Sequence, residues 1–282
     1  MEPFMKQEGQ GPDLFVLKAW NEERTGLTAG FSGRGGGEGT TPYDSLNLAL
    51  HVGDDPEDVI VNRKLTAETL GFSFEDWTCG EQVHSSRVAV IGLEERGRGS
   101  LTRQSAIQDT DGLLTNIPGV LLTSFYADCV PLYFWDPVHH AVGLAHAGWK
   151  GTVLEIASRM VERMSDEFGS CTGDIRTAIG PSIGQCCYEV DDKVMSKVND
   201  LGLSAPGNND GSGFFYTDKG NGKFMLNLKE LNRHIMIKAG ILTDHIECTS
   251  WCTSCRNDLF FSYRKDGGTT GRMASWIGMR KR

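Results

Sequence analysis

Short apolar runs broken by polar turns dominate the chain. Residues 14–20, 26–31, 88–91, 119–125, 130–135 and 141–145 are rich in β-branched and aromatic side chains, and their lengths predict strands. A helix start is written at 55–71. Asp55 can cap, Pro56 suits the first turn, Glu57 and Asp58 favour the positive end of the dipole, and Gly71 ends the run. Val59, Asn62, Arg63 and Thr66 recur there at helical spacing. Spacing alone reads Arg63 first as a solvated helix charge and second, with Asn62, as facing a site. Residues 152–168 predict an amphipathic helix, with Val153, Ile156, Met160, Val161 and Met164 on one side. Residues 191–201 and 227–239 predict two more helices. The tail, 258–279, reads as two strands joined by a glycine turn. Residues 1–13 read as a flexible arm. SGRGGGEGTT, 32–41, reads as a mobile loop, a candidate lid, since no Gly-Lys-Ser/Thr follows to make it a phosphate loop. There is no internal repeat, linker or charge block. Hairpin-like strands mixed with separate helices predict an α+β fold, one domain over 14–282.

Composition narrows the partners. The chain has 282 residues, 39% hydrophobic and 23% charged, which is ordinary for a globular protein with a substantial core. A formal charge of -9 argues against nucleic acid or an anionic membrane as the main partner. No apolar run reaches transmembrane length, and the polar stretch MEPFMKQEGQGPD lacks the apolar core of a signal peptide. Cytoplasmic residence is the expectation. Eight cysteines then read as thiols or metal ligands rather than a disulfide framework.

Three polar residues stand where apolar strands end: His84 in CGEQVHSSRV, Cys129 in SFYADCVPLYF and His146 in GLAHAGWKG. Imidazole nitrogen and thiolate sulfur suit zinc, and three protein ligands leave one coordination position open for catalysis. The rival reading makes Cys129 a thiolate nucleophile with a histidine base. Asp111, in DTDGLL, reads first as a turn residue and second as a group orienting a histidine. Asp128, beside Cys129, has the same second reading. HIECTSWCTSC suggests parts of a zinc deaminase, but Glu247 and Cys252 are too close in sequence for that arrangement. It reads as a strand and a thiol-rich turn, short of partners for a structural zinc. Cys186 and Cys187 are adjacent. On a strand they would point to opposite faces, so core packing is the reading.

SLNLALHVGDDPEDVIVNR, QVHSSRV, DTDGLLT, ADCVPLYFWD, AHAGWKGT, IGPSIGQCCYEV and FFSYRKDGGTTGRM occur in this order. Together they closely resemble the YfiH/YlmD family, also called laccase-domain or polyphenol-oxidase-like. The resemblance implies a single α+β domain, with mixed β-sheets in a sandwich-like core and flanking helices, similar to a group of cysteine hydrolases. It implies zinc held by His84, Cys129 and His146, which would also be the catalytic residues. It implies purine nucleoside phosphorolysis on adenosine, inosine, guanosine and methylthioadenosine, with adenosine deamination beside it. Some bacterial members are linked instead to peptidoglycan editing, which would make this a cysteine-type amidase. Asn47, Arg63 and Lys150 are the candidate contacts for sugar or phosphate. Lys150 stands where the family commonly has arginine. His51 reads first as a loop histidine and second as a residue reaching the pocket, and the sequence leaves the oligomeric state open, a monomer being one option. A multicopper oxidase would need about ten histidines, largely in H-x-H pairs. The chain has seven and no such pair, so copper is expected only as an adventitious ion at the His, Cys, His site, giving at most weak polyphenol oxidase activity.

Overall fold

The structure is a computed structural model, and it describes residues 2–24, 26–203 and 215–281. In chain order the strands are β1 (Phe4–Lys6), β2 (Leu14–Leu17), β3 (Leu27–Ser32), β4 (Trp77–Cys79), β5 (Val88–Val90), β6 (Gly112–Thr115), β7 (Leu121–Tyr126) and β8 (Val130–Asp136). They continue with β9 (Ala141–Ala147), β10 (Arg176–Ile179), β11 (Glu189–Asp191), β12 (Tyr216–Gly220), β13 (Lys223–Leu226), β14 (Ile246–Cys248) and β15 (Met273–Met279). The helices are α1 (Lys18–Glu23), α2 (Pro56–Thr69), α3 (Trp149–Val153), α4 (Ile156–Phe168), α5 (Asp192–Asn199) and α6 (Leu228–Lys238). One six-stranded sheet has the order β1-β2-β3-β15-β7-β4, and a second has β14-β10-β8-β9-β6-β5. A small third sheet has the order β11-β13-β12. Both large sheets mix parallel and antiparallel pairs, as expected for α+β.

The two large sheets pack face to face, and helices cover their outer faces. Alternation along single strands shows this. In β8, Tyr133 and Trp135 enter the core shared with Phe15, Phe31 and Ile277, while Leu132 and Phe134 enter the core under α4 and α6. In β15, Met273 and Ile277 face the first of these cores, and Ala274 and Trp276 face a third, under α2. Strands covered on both faces need apolar residues at every position, so these runs are continuously apolar.

Five local expectations are corrected. The arm at 1–13 is tied down: β1 pairs with β2, Phe4 is fully buried, and the Glu2 carboxylate accepts from Thr249 and Ser250. The segment 14–20 turns from strand to helix at Lys18. The tail holds one strand, β15, and the preceding residues form turns that border the site. The glycine-rich loop is pinned rather than mobile. Arg34 N donates to Leu259 O, Glu38 N donates to the Asn62 side chain, and a Cβ on Gly37 would lie 2.5 Å from that Asn62 oxygen. The predicted helix at 152–168 is also two helices, since Glu155 takes φ 55° between α3 and α4.

Helix α2 starts as predicted, with the Asp55 side chain accepting from Glu57 N. Its Arg63 is not solvated. It is 2% exposed, and its guanidinium donates to the carbonyls of Leu48, Gly99 and Ser100 while lying over the Phe125 ring. Burial lowers its pKa to about 10, so it stays charged at neutral pH. Asn47 is also fully buried. Its side chain donates to Asp54 and Ala49 O and accepts from the backbone of Ala49 and Arg272. Both are scaffold residues, which corrects their assignment as substrate contacts. No helix among the described residues is long and apolar enough to cross a membrane. Arg63→Met leaves the buried carbonyls of Leu48 and Ser100 without a donor, and that of Gly99 with only the Cys79 thiol, and is expected to cost ~3 kcal/mol or more of stability. Chemical denaturation measures it.

Candidate metal centre

His146 is the sixth residue of β9, and Cys129 immediately precedes β8. The two strands pair antiparallel, with Pro131 opposite His146 and Val130 opposite Ala147, so the register alone brings both side chains to one end of the sheet. His84 arrives on the loop before β5, at φ 63°, a conformation uncommon for a residue with a Cβ. Asp111 holds that loop. Its carboxylate accepts backbone N–H bonds from Val83 (3.1 Å), His84 (3.0 Å) and Ser85 (2.8 Å). The same carboxylate accepts from Nδ1 of His146 at 2.9 Å. Asp111 is therefore an orienting group and not merely a turn residue. Burial alone would raise its pKa, but the bonds to His146 and Ser85 outweigh it and lower it.

With Nδ1 engaged, His146 presents Nε2. One ligand atom from each of His84, Cys129 and His146 lies within 4.8 Å of the others. The imidazoles of His84 and His146 meet edge to face, with centroids 4.8 Å apart. Gly148 is required here: a Cβ would stand 3.0 Å from Cys129 Sγ and 3.1 Å from the His84 ring. Two imidazoles and a thiolate at this spacing fit a tetrahedral zinc ion with one position left open. Burial would raise the Cys129 thiol, but His146 and His84 outweigh it and bring it down to about 6. Burial would lower His146, but Cys129 and Asp111 outweigh it and raise it to about 9.

The centre opens onto a cavity of about 500 Å³. Tyr188 and Tyr263, Arg264 and Arg272, Phe125 and His51 are among its lining residues. Nη1 of each arginine donates to carbonyls, those of Cys187 and Glu189 for Arg264 and of Thr270 and Gly271 for Arg272, and the guanidinium groups lie over the rings of Tyr188 (5.3 Å) and Tyr263 (5.7 Å) respectively. Asp128, at φ 92°, accepts from Thr253, Ser262 and the backbone of Arg264, and so fixes the wall that carries Arg264. A smaller cavity of about 240 Å³ adjoins, sharing His84 and Cys129, and Lys150 lines it. Lys150 is exposed beside Trp149 and forms no ion pair among the described residues. His51 faces the main cavity, and desolvation followed by Arg272 and Arg103 pushes it down to about 4.

The structure thus unites His84, Cys129 and His146, sets Lys150 beside them, and leaves Asn47 and Arg63 in the scaffold. Arg264, Arg272, Tyr188 and Tyr263 were missed in the sequence. The signal was in FFSYRKDGGTTGRM, where cations and a tyrosine sit beside a glycine turn, and in IGPSIGQCCYEV, where Tyr188 follows a glycine-shaped loop. The pairs Cys186–Cys187 and Cys252–Cys255 were also misread. Cys186 and Cys187 lie in a turn rather than a strand, and all four thiols converge.

A family model described as "Multi-copper polyphenol oxidoreductase laccase" matches residues 28–280, and the chain belongs to this family. It is similar to the purine nucleoside phosphorylase YlmD of Geobacillus stearothermophilus, 43% identical over 276 residues, covering 96% of this chain and 98% of the relative. The enzyme of the same name from Bacillus subtilis is 39% identical over 273 residues, covering 96% of each. The crystal structure of Bacillus licheniformis YfiH superposes with a TM-score of 0.91 at 42% identity, covering 99% of this chain and 100% of that one. These likenesses bear out the YfiH/YlmD resemblance and the α+β fold.

In metal-free protein the thiol and imidazole should form an ion pair between about pH 6 and about pH 9. Above the lower value the thiolate is present, and below it the proton returns. Thiolate absorbance of the stripped protein, with Cys129→Ala as blank, should therefore titrate near pH 6. Titration near 8.5, the ordinary cysteine range, would contradict the pairing.

Proposed function

We propose that the chain is a zinc-dependent purine nucleoside phosphorylase that also deaminates adenosine. Its substrate class is adenosine, inosine, guanosine and methylthioadenosine, with phosphate as co-substrate. The observation that carries this reading is the open three-donor centre facing a cavity lined by two arginines and two tyrosines. The names of the relatives support it.

Phosphorolysis needs an anion held against the sugar carbon while the purine leaves through a cation-like state. The free Nε and Nη2 groups of Arg264 and Arg272 suit planar, bidentate contact with phosphate. Lys150 adds a point charge from the adjoining cavity, without the fork geometry of arginine. Arg264 and Arg272 already lie over the rings of Tyr188 and Tyr263, so each tyrosine holds its arginine in place for phosphate and adds an aromatic wall to the purine cavity. His51 is neutral at working pH and presents one donor and one acceptor to a leaving base. Asp111 keeps His146 in the tautomer that presents Nε2. A zinc ion held by the triad would supply Lewis acidity and the open coordination position.

One observation favours a second reading. The low-pKa Cys129 thiol beside a protonated His146 is the pair a cysteine-type amidase would use, with a peptidoglycan precursor as substrate. Purine release from adenosine and inosine separates the two, measured with and without phosphate, beside Cys129→Ala and zinc-stripped protein. The expected result is phosphate-dependent release lost in both controls. Arg264→Ala and Arg272→Ala should each raise the KM for phosphate about 10- to 100-fold, the loss of a charged hydrogen bond. No release, with chelator-resistant and alkylation-sensitive amidase activity, would overturn the phosphorylase reading.

A further inference from the structure

The cluster of Cys186, Cys187, Cys252 and Cys255 lies outside the centre described above. Its four Sγ atoms all fall within 4.8 Å of one another, with Cys255 Sγ 3.4 Å from both Cys186 and Cys187. A disulfide would bring two sulfurs to about 2.05 Å. Zinc–sulfur bonds of about 2.3 Å in a tetrahedron set sulfur–sulfur edges of about 3.8 Å, close to the spacing seen. Two cysteine pairs from distant segments, one a C-x-x-C and the other adjacent residues brought together by a turn, supply the four thiols a closed structural zinc site needs.

Three surrounding features point the same way. Gly184 N donates to Cys252 Sγ at 3.1 Å, a bond that favours a thiolate. A Cβ on Gly184 would stand 3.1 Å from Cys186 Sγ and 3.2 Å from Cys252 Cβ, so the backbone is drawn tightly against the cluster. Lys229 is 8% exposed and forms no ion pair among the described residues, yet its ammonium donates to Trp251 O, one residue before Cys252. A buried cation needs negative charge nearby, and besides Cys248 and the Glu2 carboxylate the cluster thiols Cys252 and Cys186 act on it. Four thiolates around a divalent ion leave a net charge of about −2, which meets that need.

We propose that these four cysteines form a second metal site, a mononuclear zinc tetrathiolate whose role is structural. It has no open position and takes no part in bond making. It joins the turn after β10 to the segment after β14, two stretches otherwise linked near here by the Ser182–Cys252 bridge and the Thr253–Ser182 backbone bond. The first stretch carries Ile183 and Tyr188 to the cavity, and Cys187 O anchors Arg264. The second carries Thr253, which holds Asp128 beside Cys129. The ion would therefore brace the cavity wall that carries Tyr188 and Arg264. Thiolate donors select zinc over the oxygen-seeking cations.

Metal content of the full chain, produced with added zinc and dialysed, tests this without reference to activity. About two zinc ions per chain are expected for the wild type, about one for Cys129→Ala and about one for Cys252→Ser/Cys255→Ser. The cluster variant should also melt at a lower temperature. Cobalt(II) in the Cys129→Ala chain gives a readout that does not depend on the cluster variant folding. Intense sulfur-to-cobalt charge transfer with tetrahedral ligand-field bands is expected. Unchanged zinc content in the cluster variant, cobalt spectra without thiolate bands, or mass loss showing disulfides in the freshly purified chain would each overturn the proposal.

Discussion

The carboxylate of Asp111 is the constraint on which the centre depends. It is almost fully buried, and all its bonds go to the parts of the site that must be held. One oxygen orients His146 and bonds the backbone of His84, and the other gathers Val83 and Ser85. A left-handed backbone at His84 costs on the order of 1–3 kcal/mol, and such strain persists only where the surroundings over-determine it. Asp111 supplies that determination. Asp128 plays the matching part on the other side, tying its own strained position to Thr253, Ser262 and Arg264. Two carboxylates thus set the positions of a ligand loop and a cation-bearing wall.

The layers of the fold make this precision attainable. The β8–β9 pair is covered by aromatic side chains on one face and by α4 and α6 on the other, so the ends that carry Cys129 and His146 have little freedom. Tyr126 adds to this: its ring packs 5.4 Å from His146, and its hydroxyl donates to Ala145 O. Function is placed at the end of a rigid sheet, and the variable part of the cavity is built from turns stapled to it.

Legibility in the sequence followed the range of the forces involved. Local signals were sound: Asp55 and Pro56 mark the start of α2, and the apolar runs at 130–135 and 141–145 are strands. The convergence of His84, Cys129 and His146 was legible from side-chain chemistry, two imidazoles and a thiol lying in or beside strands and flanked by small residues. Charge burial was not legible. Arg63 satisfies three carbonyls from loops far along the chain, and helical spacing carries no trace of them. The same holds for Asn47, whose partner Arg272 lies 225 positions away. Cys186 and Cys187 failed for a different reason. Opposite orientation of neighbours is a property of strands, and a turn lets adjacent side chains converge on Cys255. The arm at 1–13 was misjudged because β1 is short and its support comes from Ser250 and Leu17.

The central claim is that Asp111 makes His146 a ligand through Nε2. The most direct measurement is zinc affinity by chelator competition in the wild type and Asp111→Asn, with Cys129→Ala identifying which ion is released. The account predicts affinity at the triad weakened about 10- to 100-fold, as for loss of the carboxylate behind a ligating histidine, while secondary structure is retained. Unchanged affinity in a folded Asp111→Asn chain would contradict it.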